Sequence, residues 1–246
     1  MTAMVQPPST STKAVKALRP RDAASLLLVD RSGSKPRILM GRRHASLAFM
    51  PGKFVFPGGR ADPVDGAIAA AAELNSNDVA KLLAGMGARA SMRRARALGL
   101  CAIRETFEET GLRIGQAISA PVALPTHHDW STFLDKGMMP ALDSLRYFAR
   151  AVTPPDYVRR FDTRFFIAFR DHIPELDQQP LVPSGELEDL DWVSIDQIDT
   201  LDVAHITQAI LKEARVLLTD TEFELPATLP VVQYWKRHGR FIREVI

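Results

Sequence analysis

The sequence predicts an α+β fold, because short aromatic and β-branched runs recur along the chain and a few longer segments of helical periodicity stand between them. Size adds a third observation. A chain of 246 residues with 46% hydrophobic and 24% charged residues can bury a substantial core, and it fits one domain over residues 22–246.

The elements follow in order. Residues 23–29 and 37–40 read as two strands joined by a turn at Ser32-Gly33-Ser34, with Pro36 ending the loop. Phe54-Val55-Phe56 is a third short strand running into a loop, Pro57-Gly58-Gly59. Residues 61–96 are alanine-rich and read as helical, first over 67–74 and then in a second helix with Asn77 as N-cap, closed near Gly85 and Gly87. The next helix begins near Ser91 and ends at Gly111, with Gly99 as a point where it divides or continues. Residues 145–152, 164–169 and 189–193 are strand-like, and Asp196 is expected to cap a last helix reaching about residue 217, whose apolar face includes Ile206, Ile210 and Ala214.

The helix ending at Gly111 carries the chemistry. Glu105, Glu108 and Glu109 stand at i, i+3 and i+4, so at about 100° per residue all three share an arc of about 100°. Like charges so placed raise one another's pKa or await a hard divalent cation, and oxygen ligands on a helix suit Mg2+ or Mn2+. A solvated acidic face is the plain alternative. Upstream, the paired glycines Gly58 and Gly59 allow close approach of the backbone to a ligand.

Gly59 together with Arg104, Glu105, Glu108, Glu109, Gly111 and Leu112 resembles the signature of the Nudix hydrolases: a glycine, five residues, a glutamate, seven residues, then Arg-Glu-apolar-x-Glu-Glu-x-Gly-apolar. Here 44 residues separate Gly59 from Arg104, so an insertion of about thirty splits the pattern. The first glutamate is missing or displaced: eight residues before Arg104 stands Arg96, and six after Gly59 stands Asp65. Asp62, Asp65 and Glu73 are the candidate stand-ins, and Thr106 occupies a place that is usually apolar. Met50-Pro51-Gly52 before the glycines, the insertion, Cys101-Ala102-Ile103-Arg104-Glu105 and the run from Arg159 to Phe166 are similar to the branch that includes the mammalian peroxisomal acyl-coenzyme A diphosphatase. That likeness spans about residues 22–195.

The resemblance implies a mixed β-sheet sandwiched between helices, with a helical insertion at 61–96 inside the motif. It also implies Mg2+ (or Mn2+) held by Glu105, Glu108, Glu109 and the carbonyl of Gly59, with Glu105 as a ligand or the general base and Arg104 orienting a carboxylate. The implied reaction is hydrolysis of a diphosphate bond in a nucleoside diphosphate linked to another group. Coenzyme A or an acyl-coenzyme A comes first; ADP-ribose, dinucleotides, nucleotide sugars and a catalytically silent ligand sensor are the alternatives. Arg42, Arg43, Lys53 and Arg60 surround the same region and are candidates to meet substrate phosphates, since guanidinium forks match phosphate oxygens. Glu186 or Glu188 is a candidate late carboxylate.

Other classes recede. A formal net charge of +2 gives no field on the scale that nucleic acid requires. The single cysteine, Cys101, excludes an internal disulfide, reads as a small core residue, and fits a reducing cytoplasm. No apolar run reaches the roughly 18 residues of a membrane span. Residues 1–21 read as a flexible tail without the pattern of a secretory signal, and Glu244-Val245-Ile246 is not a peroxisomal address. The expected partner is a small nucleoside diphosphate derivative, neither nucleic acid nor membrane, and a homodimer is left open. His127-His128-Asp129 reads as a polar loop, and Phe161-Asp162-Thr163-Arg164 as a loop-locking pair just before a strand.

Overall fold

The computed structural model describes residues 18–47, 50–119, 122–220 and 224–246; residues 1–17 of the expected tail lie outside them. Its spine is β1 (Arg21–Asp30), the apolar run whose side chains alternate between two cores. Leu26 and Leu28 face one core and Leu27 and Val29 the other, so a fully apolar strand serves both faces of a sheet.

β1 lies parallel to β8 (Phe161–Phe169), pairing from Arg21↔Phe161 to Val29↔Phe169. β8 runs antiparallel to β7 (Arg146–Val152), which lies parallel to β10 (Val232–Arg237), and β11 (Arg240–Val245) closes that edge. On the other side, two strands share the edge of β1. β4 (Gly58–Arg60) takes its first residues through Ala23↔Arg60 to Ser25↔Gly58, and β2 (Arg37–Arg43) takes its last through Val29↔Ile38. β3 (Phe54–Val55) and β9 (Leu187–Ser194) both pair with β2. β5 (Gly115–Ala117) and β6 (Met138–Pro140) form a separate two-stranded antiparallel sheet.

Helices cover both faces, as expected of a mixed sheet between helices. On one face lie α1 (Ser76–Met86), α2 (Met92–Thr110) and α3 (His128–Leu134), whose Leu82, Leu98, Ala102 and Trp130 pack with Leu26 and Phe166. On the other lies α4 (His205–Asp220), where Ile210, Leu211, Ala214 and Leu218 pack against Leu27, Ile167 and Val193. Among the described residues, no helix is long and apolar enough to cross a membrane.

Several local expectations need correction. Residues 67–74 form no α-helix: a short 3-10 turn covers Asp65–Ala67, after which the chain runs extended, its backbone bonded as Ala71 N–H to Pro140 O and Leu142 N–H to Ala72 O. Tertiary pairing there overrides the helical propensity of alanine. The N-cap of α1 is Asn75, not Asn77; its side chain accepts from Asn77 N–H. The Pro-Gly-Gly segment is not a loop beyond Pro57, because Gly58 and Gly59 join β4. Asp196 does not cap the last helix; Ser194 caps a 3-10 segment, Ile195–Thr200, and α4 starts at His205. Phe161–Arg164 is already strand, and His128-Asp129 opens α3 rather than lying in a loop. α2 is one helix, with Gly99 buried within it.

Candidate active site

α2 begins where the Ser91 hydroxyl accepts from Arg94 N–H at 3.2 Å and ends at Gly111, whose φ of 77° is the left-handed turn that sends its N–H back to Phe107 O. Three carboxylates occupy its last two turns, near the negative pole of the helix, where negative charge is least welcome. Something else must hold them there.

Arg104 is the first such group. Its Nη1 donates to Glu105 Oε1 at 2.9 Å and to Glu108 Oε1 at 2.7 Å. The same guanidinium is clamped from behind by Asp65, through Nε to Oδ1 at 2.8 Å and Nη2 to Oδ2 at 3.2 Å, and its Nη2 also reaches Arg60 O at 3.0 Å. Asp65 is fully buried, and it takes two further bonds, from Trp130 Nε1 at 2.9 Å and from Asp62 N–H at 2.8 Å. Burial disfavours charge on Arg104, but the bond to Asp65 and the charge of Glu105 more than offset this and raise its pKa. Of the three stand-ins for the missing glutamate, Asp65 is thus the one that touches the motif arginine. Asp62 accepts from Val64 N–H, and Glu73 pairs with Arg96.

The second support is β4. Gly58 N–H donates to Glu109 Oε2 at 2.9 Å. Gly59 lies flat against Glu105: a Cβ at this position would stand 2.5 Å from the carboxyl carbon, so only glycine lets the two meet. The Gly59 carbonyl faces α2 and receives Cys101 Sγ at 3.6 Å. Cys101 itself is buried, and burial pushes its thiol pKa well up, which suits a core residue. Thr106 is also buried, its hydroxyl satisfied by Ala102 O at 2.7 Å, so a polar residue fits where an apolar one is usual.

Electrostatics record the crowding. Burial pushes Glu109 up to about 8, with the Glu105 charge adding and the Gly58 N–H and Arg43 opposing. Burial likewise pushes Glu105 up to about 7, against the pull of Arg104 and with the help of Glu108. Glu108 is raised by burial too, with Asp129 of α3 beside it. Among the described residues, no three His, Cys, Asp or Glu groups are gathered into a cation cage, since Arg104 engages two of the carboxylates and Gly58 N–H the third. The donor set nevertheless fits a hard divalent cation: carboxylate oxygens with excess negative charge, and a glycine backbone in a cradle that a Cβ would fill.

The remaining candidates divide. Arg43 reaches the row, its Nη1 4.0 Å from Glu109 and its Nη2 3.8 Å from Glu186, so a distal segment brings one carboxylate close. Glu188 faces His44 at 3.5 Å instead. Arg42 bonds Asp189 at 3.1 Å and lies over the Phe54 ring, Lys53 pairs with Asp202, and the Arg60 side chain lines a groove at the other end of β4. Asp129 reads from the sequence as part of a polar loop and Trp130 carries no signal at all, because nothing in a His-His-Asp-Trp string says that α3 will pack beside α2.

No family model matches the chain. Among curated proteins it is 26% identical over 193 residues to a Caenorhabditis elegans protein named for the nudix hydrolases, covering 70% of this chain. The chain spans 51% of that relative's length. Among solved structures, a NUDIX hydrolase from Alicyclobacillus acidocaldarius is similar at TM-score 0.60 and 28% identity, over 79% of this chain and 90% of that one. A MutT/nudix family protein from Enterococcus faecalis is similar at TM-score 0.49 and 11% identity, over 88% of this chain and 68% of that one. The chain has the Nudix fold, and the first two likenesses support the Nudix hydrolase family.

Proposed function

We propose that this chain, with its Nudix fold, is a divalent-metal-dependent hydrolase that cleaves a diphosphate bond in a nucleoside diphosphate linked to another group. The observation that carries this reading is the row Glu105, Glu108 and Glu109, pressed against Gly58 and Gly59 and anchored by Arg104. Mg2+ or Mn2+ would be held by these glutamates and the Gly59 carbonyl. When bound, the cation supplies Lewis-acid compensation for the charge that develops on the diphosphate and makes water a stronger acid.

The chain's own residues do the rest. Glu105, beside Gly59 and held by Arg104, is either a further ligand or the base that takes a proton from the attacking water. Arg104 holds Glu105 and Glu108 in one orientation, and Asp65 holds Arg104. Arg43, at the edge of the row, is the candidate to meet a phosphate oxygen of the substrate; its approach to Glu109 supports this role.

The resemblance of the split motif makes coenzyme A or an acyl-coenzyme A the first substrate class, with ADP-ribose, dinucleotides and nucleotide sugars as competitors. A chromatographic screen of these compounds with Mg2+ tests the reading. Release of 3',5'-ADP from coenzyme A is the expected product, and its absence removes the coenzyme A assignment. Unchanged turnover in both Glu108→Gln and Glu109→Gln would remove the metal assignment itself.

A further inference from the structure

A groove of about 620 Å³ opens at the amino-terminal end of α2, built largely by the segment that splits the motif. β4 connects it to the carboxylates: Gly58 meets Glu109, Gly59 meets Glu105, and the Arg60 side chain lines the groove. Six arginines line this one concavity, Arg19, Arg21, Arg60, Arg89, Arg93 and Arg94. Two aspartates, Asp22 and Asp62, line it as well.

The acidic groups do not balance the basic ones. Asp22 is already committed, to Arg94 through two bonds of 2.6 Å and to Arg164 at 3.0 Å. Asp62 Oδ1 accepts from Val64 N–H at 2.9 Å. The side chains of Arg19, Arg21, Arg60, Arg89 and Arg93 make no ion pair or hydrogen bond with any other described residue. Five exposed arginines line one hollow, and guanidinium forks so gathered can grip a multivalent anion at several points at once. The amino-terminal pole of α2, which begins after Ser91 at the groove wall, adds to the same potential.

We infer that this groove is a second site, which binds a small molecule bearing two or more phosphate groups. It is offset from the carboxylate row along α2, where its lining residues run from Ser91 to Leu98 and the last stands seven residues, about 10 Å of helix rise, before Glu105; Arg60, next to Gly59, is where the two adjoin. The hollow falls in the size range of small-molecule pockets, roughly 300–1,000 Å3. Nucleic acid is the weaker reading, since the formal net charge is only +2.

The test is isothermal titration calorimetry of the full chain with inorganic pyrophosphate in EDTA, so that no divalent cation bridges the ligand to the glutamates. Saturable binding is expected, weakened about tenfold or more in Arg89→Gln/Arg93→Gln and in Arg19→Gln/Arg21→Gln, with circular dichroism confirming that both variants are folded. Glu109→Gln should bind pyrophosphate as the wild type does, which separates this site from the carboxylate row. No saturable binding, or equal affinity in wild type and both arginine variants, overturns the proposal. A short single-stranded oligodeoxynucleotide that binds more tightly than pyrophosphate and is lost in the same variants overturns the small-ligand identity.

Discussion

Asp65 and Arg104 form a buried pair, Oδ1 to Nε at 2.8 Å, that ties the start of the insertion to α2 and holds the motif arginine behind its glutamates. Because Asp65 also receives Trp130, this one carboxylate ties α2, α3 and the turn after β4 together. Asp65→Ala leaves a guanidinium buried without its main partner, which costs about 3–5 kcal/mol by the usual measure of a broken buried pair. Urea unfolding checks this, and a loss below about 1 kcal/mol would show that the pair does not hold the fold. Trp130→Phe removes one bond to Asp65 and should cost less, about 1–2 kcal/mol.

Gly59→Ala puts a methyl group 2.5 Å from the Glu105 carboxyl carbon, so the carboxylate must swing or β4 must lift. Diphosphate hydrolysis should fall by about 100-fold, in keeping with the loss of a positioned proton acceptor. Circular dichroism should remain that of the wild type. An active Gly59→Ala enzyme would remove the close approach from the mechanism.

Arg42 and Arg43 are sequence neighbours with opposite expectations. Arg43 stands at the carboxylate row, whereas Arg42 is spent on Asp189 and Phe54. Arg43→Gln should raise KM about tenfold, as loss of one charge-assisted phosphate contact does, and Arg42→Gln should change it by less than about twofold. Steady-state kinetics decide, and equal effects would erase the distinction drawn from geometry.

The metal-free protein should lose stability as pH rises. Glu109 has a pKa of about 8 and Glu105 about 7 in the fold, both above the ordinary 4.5, so between these values the folded chain holds protons that the unfolded chain has released. Stability from this source is full below about pH 4.5 and is lost by about pH 8. Arg104 and Arg43 already count in those values, so each carboxylate contributes on the order of a few kcal/mol. Denaturation in EDTA at pH 5.5 and 8.5 measures it, and Glu109→Gln, which still accepts from Gly58 N–H, should flatten the difference. Adding Mg2+ should raise Tm more at pH 8.5 than at 5.5; an equal rise would argue against binding at these carboxylates.

Elements with strong local chemistry were legible beforehand. β1 is a long apolar run that suits a strand facing two cores, and α2 is bounded by Ser91 and Gly111, whose capping roles depend on their own backbone. The alanine-rich segment after Asp65 misled, because its backbone bonds go to residues near 140 rather than to its own next turn. The β10–β11 hairpin was not anticipated, although His238 and Gly239 both have positive φ, as its tight turn requires.

By itself the sequence determined the carboxylate row, since spacing at i, i+3 and i+4 places three side chains on one helical face wherever the helix lies. It also marked Asp65 as one of three candidates, by its distance of six residues from Gly59. Only the tertiary structure decided among Asp62, Asp65 and Glu73, separated Arg43 from Arg42, and brought Asp129 and Trp130 beside α2. The physical reason is the same in each case: a helical face is a local property of the backbone, whereas a buried ion pair depends on which distant element excludes water from it.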